Sequence, residues 1–199
     1  VRPPSQAVGV LMVTSDAGFL GGLNTQVVNA GLRARGPGGP LTIIGERGLN
    51  YLYDLRQDCT AFPGIEDTKR FASALAVRDH LVSQVLSGAC GQIVAVYPRP
   101  ISFAVQEVTV ETLLPCTAWV PPNRRIIADL LWESYPEDIV EYVAVQWIGH
   151  RLDEIFALSR LAELAARAVH LEGSYQELVR RGQKLKLQYL RARKGGATA

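Results

Sequence analysis

The feature that most constrains this chain is its last third. From Glu137 to Lys194 there is no proline, and only Gly149, Gly173 and Gly182 break an otherwise helix-compatible run. Pro136 suits the first turn of a helix, where its missing N–H costs nothing, and Glu137, Asp138 and Glu141 suit the positive end of the helix dipole. Read as one helix, the stretch spans about 85 Å at 1.5 Å per residue. That exceeds the diameter of a small domain, so part of the helix must project. Leu164, Ala168, Leu171, Tyr175, Leu178, Gly182, Leu185, Tyr189 and Ala192 alternate four- and three-residue steps, which is a heptad seam. A helix lying on its own globular core normally shows a wider apolar stripe. The spacing therefore predicts half of a coiled coil, with Ala168, Gly182 and Ala192 permitting close approach.

A seam needs a partner, and no other heptad run of this length is present. The chain starts at Val1 and not at a methionine. The partner helix is expected upstream of Val1 or on another chain.

The first 122 residues follow a different pattern. Val8–Thr14 is a Val-rich apolar run expected to be a buried, parallel strand. Asn24–Arg35 reads as a helix, Leu41–Ile44 as a strand, Arg47–Leu55 as a short helix and Cys59–Phe62 as a weak strand. Glu66–Ser87 carries Phe71, Leu75, Leu81, Val82, Val85 and Leu86 at helical spacing and closes at Gly88. Ile93–Tyr97 reads as another buried strand, and Val105–Leu114 as a half-exposed antiparallel edge strand. This alternation predicts an α/β fold: a mostly parallel, Rossmann-like sheet with helices on both faces. After Pro121-Pro122, Asn123 is placed to cap a helix over Arg124–Ser134. The expected division is an α/β domain over 1–122 and a helical shaft segment over 123–199.

Charge separates the same two parts. Arg180–Lys194 holds seven basic residues and no acidic one; with a net charge of +2 for the whole chain, −5 is left for the remainder. The tail and the body therefore meet different surroundings. No apolar run approaches the roughly 18–20 residues of a membrane span, and no targeting segment is visible. Cys59, Cys90 and Cys116 are scattered, and reduced thiols are expected.

Three chemical readings compete. Gly18, Gly21 and Gly22 after the first strand could cradle phosphate, with Glu46 as a ribose acid, which is the pattern of a nucleotide-binding Rossmann-type enzyme. The spacing is G-x-x-G-G rather than G-x-G-x-x-G, however, and Glu46 lies too far along. The basic tail could bind nucleic acid, but it shares its helix with the seam and has few aromatics. His150, Asp153 and Glu154 fall within one helical turn without a second cluster to complete a metal site, so they read as solvated surface groups. A stand-alone protein acting through its helix is the remaining alternative.

Five motifs carry a resemblance. They are Ser15-Asp16-Ala17-Gly18-Phe19-Leu20-Gly21-Gly22-Leu23-Asn24, Ile44-Gly45-Glu46-Arg47-Gly48, Leu113-Leu114-Pro115, Leu161-Ala162-Glu163-Leu164-Ala165-Ala166-Arg167-Ala168, and the stretch from Tyr189 to Thr198. In type and order they resemble the γ subunit of rotary F-type ATP synthases. Phe19 and Leu20 stand where that family usually has Leu-Cys, and Gly195-Gly196 should weaken the end of the helix. The resemblance implies a non-catalytic central-stalk rotor that couples proton or sodium-ion flow to ATP synthesis. It implies no cofactor, metal or nucleic acid. The implied partners are the α and β subunits, the ε subunit, the membrane c-ring and an N-terminal γ helix completing the coiled coil. By positional match, Arg180, Arg181, Lys184, Arg191, Arg193, Lys194 and Thr198 would contact the αβ ring. Asp16, Gly18, Gly21, Gly22 and Asn24 form the family's motif loop. The implied location is peripheral, on the cytoplasmic face of the bacterial inner membrane.

Overall fold

The computed structural model describes residues 6–115 and 135–196. Cys116, the Asn123 cap, the Arg124–Ser134 helix, the 122/123 boundary and Thr198 lie outside the described residues. The elements run β1 (Val8–Val13), α1 (Leu23–Ala34), β2 (Leu41–Ile44), α2 (Glu46–Asp54), β3 (Thr60–Phe62), α3 (Arg70–Leu86), β4 (Gln92–Pro100), β5 (Gln106–Leu114) and α4 (Pro136–Gly196).

The strands form one five-stranded sheet in the order β3-β2-β1-β4-β5. All neighbours are parallel except the β4–β5 hairpin, which is antiparallel. Period-two alternation sorts the central strands onto two cores. Leu11 and Val13 of β1 and Ile93, Ala95 and Tyr97 of β4 face α3 and the first half of α4. Val10 and Met12, with Val94 and Val96, face α1 and α2. The predicted α/β sheet covered on both faces is thus the observed fold. Gly31 is what lets α1 lie close to β1, since a Cβ there would meet Met12 Sδ at 2.4 Å.

The helix expected over Glu66–Ser87 starts later, at Arg70, after a turn at 67–69. Its buried face is Ala74, Val77 and Leu81, while Phe71 and Leu86 are exposed. That face packs into the core shared with α4. β4 extends to Pro100, three residues past the predicted end, because its pairing with β5 continues to Pro100–Gln106.

α4 begins at Pro136 as its sequence predicts, and its 61 residues span about 92 Å. It continues through Gly195 and Gly196, since adding a residue to an existing helix is cheap compared with nucleating one. Ile148, Leu152, Ile155 and Phe156 are fully buried in the core of the sheet domain. The first half of α4 is therefore part of the head. From Val169 to Arg193 nearly every residue is exposed, so the second half projects.

Candidate functional site

The motif loop between β1 and α1 is braced by its own side chains. The Ser15 N–H donates to Asn24 Oδ1 at 3.2 Å, and Asn24 Nδ2 donates to Ser15 Oγ at 3.1 Å. Asp16 Oδ1 accepts the Glu46 N–H at 2.8 Å, which caps α2. Gly21 and Gly22 have φ of 58° and 89°, a conformation glycine adopts without strain, and Gly22 leads directly into α1. Phe19, at φ 65°, shares that left-handed region and is largely exposed.

The far side of this loop is covered by α4. Leu20 and Leu23 bury against Ala166. Arg167 is paired with Glu163, and its Nε approaches the Gly18 carbonyl at 3.5 Å. The His170 ring lies against Gly21. Asp16, Gly18, Gly21, Gly22 and Asn24 are thus brought together in one loop, in which Gly18 and Gly21 lie beside α4, Asp16 ties to α2 and Asn24 ties to Ser15. Glu46, the candidate ribose acid, starts α2, where its backbone is tied to Asp16.

The seam residues present a different surface. Leu164, Leu171, Tyr175, Leu178, Leu185 and Tyr189 are between 46% and 68% exposed, and Ala168, Gly182 and Ala192 are exposed beside them. A Cβ on Gly182 would meet nothing within 4 Å. Residues buried against the head run Ile148, Leu152, Ile155, Ser159, Ala162 and Ala166. That row also steps by four and three, but two residues out of phase with the seam. Two residues are about 200° of helix, so the rows lie on opposite faces. Exposed Leu161 stands three residues before Leu164 and extends the seam one step toward the head. Between Leu161 and Ala168 the helix thus turns one face to the head and leaves the other exposed.

The basic segment is only partly free. Arg180 and Arg181 both pair with Glu177, at 2.8 and 2.7 Å. These two cations hold the Glu177 carboxyl below its ordinary range, Arg181 foremost through its hydrogen bond. Lys184, Arg191 and Arg193 are exposed on the projecting half. Lys194 falls within α4, and its side chain lies outside the described residues.

Sequence reasoning missed the joint between shaft and head. Arg151 Nε and Nη2 grip Glu111 on β5 at 2.7 and 2.5 Å, and the Tyr97 hydroxyl donates to the same carboxylate at 2.8 Å. Arg151 Nη1 also reaches Glu154 at 2.5 Å. Across the helix, Asp153 accepts from Arg70 Nε at 2.8 Å. Asp153 is therefore engaged in a half-buried ion pair with α3, which corrects its reading as a solvated group, whereas Glu154 is exposed as expected. His150 is exposed beside Phe71. Burial, then the bond to Glu111, pushes the Tyr97 phenol up to about 12. The Arg151 hydrogen bond holds Glu111 below the usual carboxylate range.

A family model described as ATP synthase matches residues 1–199. This chain belongs to the ATP synthase family. It is 27% identical over 203 residues to the ATP synthase gamma chain of Chlorobaculum tepidum, covering 95% of this chain and 68% of that one. The gamma chain of Thiobacillus denitrificans is 27% identical over 207 residues, covering 99% and 71%. Among solved structures, the rotor of the Euglena gracilis mitochondrial ATP synthase superposes with a TM-score of 0.72 at 22% identity, covering 96% of this chain and 74% of that one. The central stalk and c-ring structure of the Tetrahymena thermophila enzyme gives 0.68 at 19%, covering 88% and 79%. Both structures share the fold. Within the ATP synthase family this chain is a divergent gamma-type rotor subunit, a non-catalytic part of the complex. Among the described residues no helix is long and apolar enough to cross a membrane.

Proposed function

We propose that this chain is the torque-bearing link of a central stalk that couples proton or sodium-ion flow to ATP synthesis in an αβ ring. The observation that carries the reading is the two-faced α4. One half is core to the head, and the other half projects with an unpartnered heptad seam. A row of exposed leucines and tyrosines is not a stable solvent surface, since burying each contributes about 1.5–3 kcal/mol. The occupant of the seam is an N-terminal γ helix running antiparallel to α4. The working division is a head over 1–122 and a shaft over 123–199, with the first half of α4 shared between them.

Arg180, Arg181, Lys184, Arg191, Arg193, Lys194 and Thr198 contact the αβ ring. Long-range attraction between these cations and acidic β surfaces suits a contact that must slide, because it does not depend on stereospecific pairing. The ε subunit and the c-ring meet the head, and the protein lies peripherally on the cytoplasmic face of a bacterial inner membrane. Coexpression with the upstream helix and the α, β and ε subunits tests this. A complex that hydrolyses ATP and sheds this chain on Leu178→Asp substitution is expected. A complex that assembles and couples equally well without this chain would overturn the reading.

A further inference from the structure

Any torque carried by the shaft must cross the joint where α4 leaves the head. Leu152 marks the centre of the buried face of α4 at that joint and is fully buried. Arg151 and Asp153 each lie about 100° around the helix from Leu152, one on either side. Each is tied to a different element. Arg151 forks onto Glu111 of β5, and Asp153 receives Arg70 of α3. Apolar packing holds the helix down, but its attraction is non-directional and sets no defined angle between particular groups. The planar guanidinium, by contrast, fixes both distance and angle to a carboxylate.

We propose that Arg151 and Asp153 are opposed outriggers that lock α4 against rolling in its seat, and so act as positioning residues for torque transfer. The proposal rests on the rotor reading. Two details support a built joint over incidental surface pairs. Both pairs are half-buried, with side-chain exposures of 20% and 26% for Arg151–Glu111 and 34% and 26% for Arg70–Asp153, so salt screens them less than exposed pairs. Glu111 is itself held by the hydroxyl of Tyr97, whose ring is buried in the core. The anchor on β5 therefore cannot swing to follow a rolling helix. When the shaft twists one way the Arg151 side is drawn tight, and when it twists the other way the Asp153 side is. The joint thus serves both directions of rotation.

The test uses the assembled complex containing this chain, with Arg151→Met, Asp153→Asn and the double variant. ATP hydrolysis without an ion gradient and ions pumped per ATP against a gradient are both measured. Hydrolysis within about twofold of the parent is expected, with a loss of about threefold or more in pumping per ATP in the double variant. Phe156→Leu, which loosens the same core while leaving both pairs intact, should keep the parent ratio. Unchanged pumping per ATP in the double variant overturns the proposal, as does an equal loss in Phe156→Leu. If the double variant does not assemble, Tyr97→Phe and Arg151→Lys are read by the same ratio, with a smaller loss expected and no loss overturning it. A parent complex that neither hydrolyses nor pumps would overturn the rotor reading itself, and the proposal with it.

Discussion

Tyr97 and Glu111 make the joint sensitive to pH at both extremes. The Tyr97 phenol, raised from 10.0 to about 12, favours its neutral form in the folded chain. Its contribution is complete below pH 10 and is lost as pH rises toward 12. Glu111 is shifted the other way, so its contribution is complete above the ordinary carboxylate range and is lost as pH falls through its lowered folded value. Ultraviolet titration of the native chain should show a late-ionising component from Tyr97 that disappears in Tyr97→Phe. In the motif loop, Asn24→Ala removes both bonds to Ser15 and should cost about 1–2 kcal/mol in denaturant unfolding. The motif was legible as a glycine-rich turn, but its purpose was not. Gly18 touches Arg167 across 149 residues of sequence, so no local pattern announces that the turn lies beside α4.

At the scale of the element, α4 is two helices in one. Its head-facing half should protect its amides strongly in hydrogen exchange, while the exposed half beyond Val169 should exchange faster. Gly173 lies on the projecting half, off the seam, with open space around it. Gly173→Ala should therefore raise helicity by about 1 kcal/mol in circular dichroism melts and leave assembly unchanged. The exposed row was legible because its residues repeat locally, at 3.5 residues. The head-facing row was equally periodic, but its partner is a sheet whose strands are distant in sequence, and its phase relative to the seam has meaning only once both partners are placed.

For the whole molecule, the head and the first half of α4 share one core, so damage to either should unfold both together. Phe156→Ala, at a fully buried position, should cost about 3–5 kcal/mol and lower the unfolding midpoint of the sheet domain as well as of the helix. The isolated chain should show no ATP hydrolysis, as fits a non-catalytic subunit; turnover that copurifies with the pure chain would contradict this.

The sequence by itself determined the order of the described elements, the two-sided α/β sheet and the helix beginning at Pro136. Each of these depends on periodicity, proline placement or chain length, which are local quantities. The tertiary structure alone decided that α3 buries Ala74, Val77 and Leu81 while leaving Phe71 and Leu86 exposed, that the glycine turn lies beside α4, and that Arg151 and Asp153 grip opposite neighbours. Those outcomes depend on which surfaces approach one another. Glu111 lies 40 residues before Arg151 and Arg70 lies 83 before Asp153, and such separations leave no spacing rule by which a chain could reveal them.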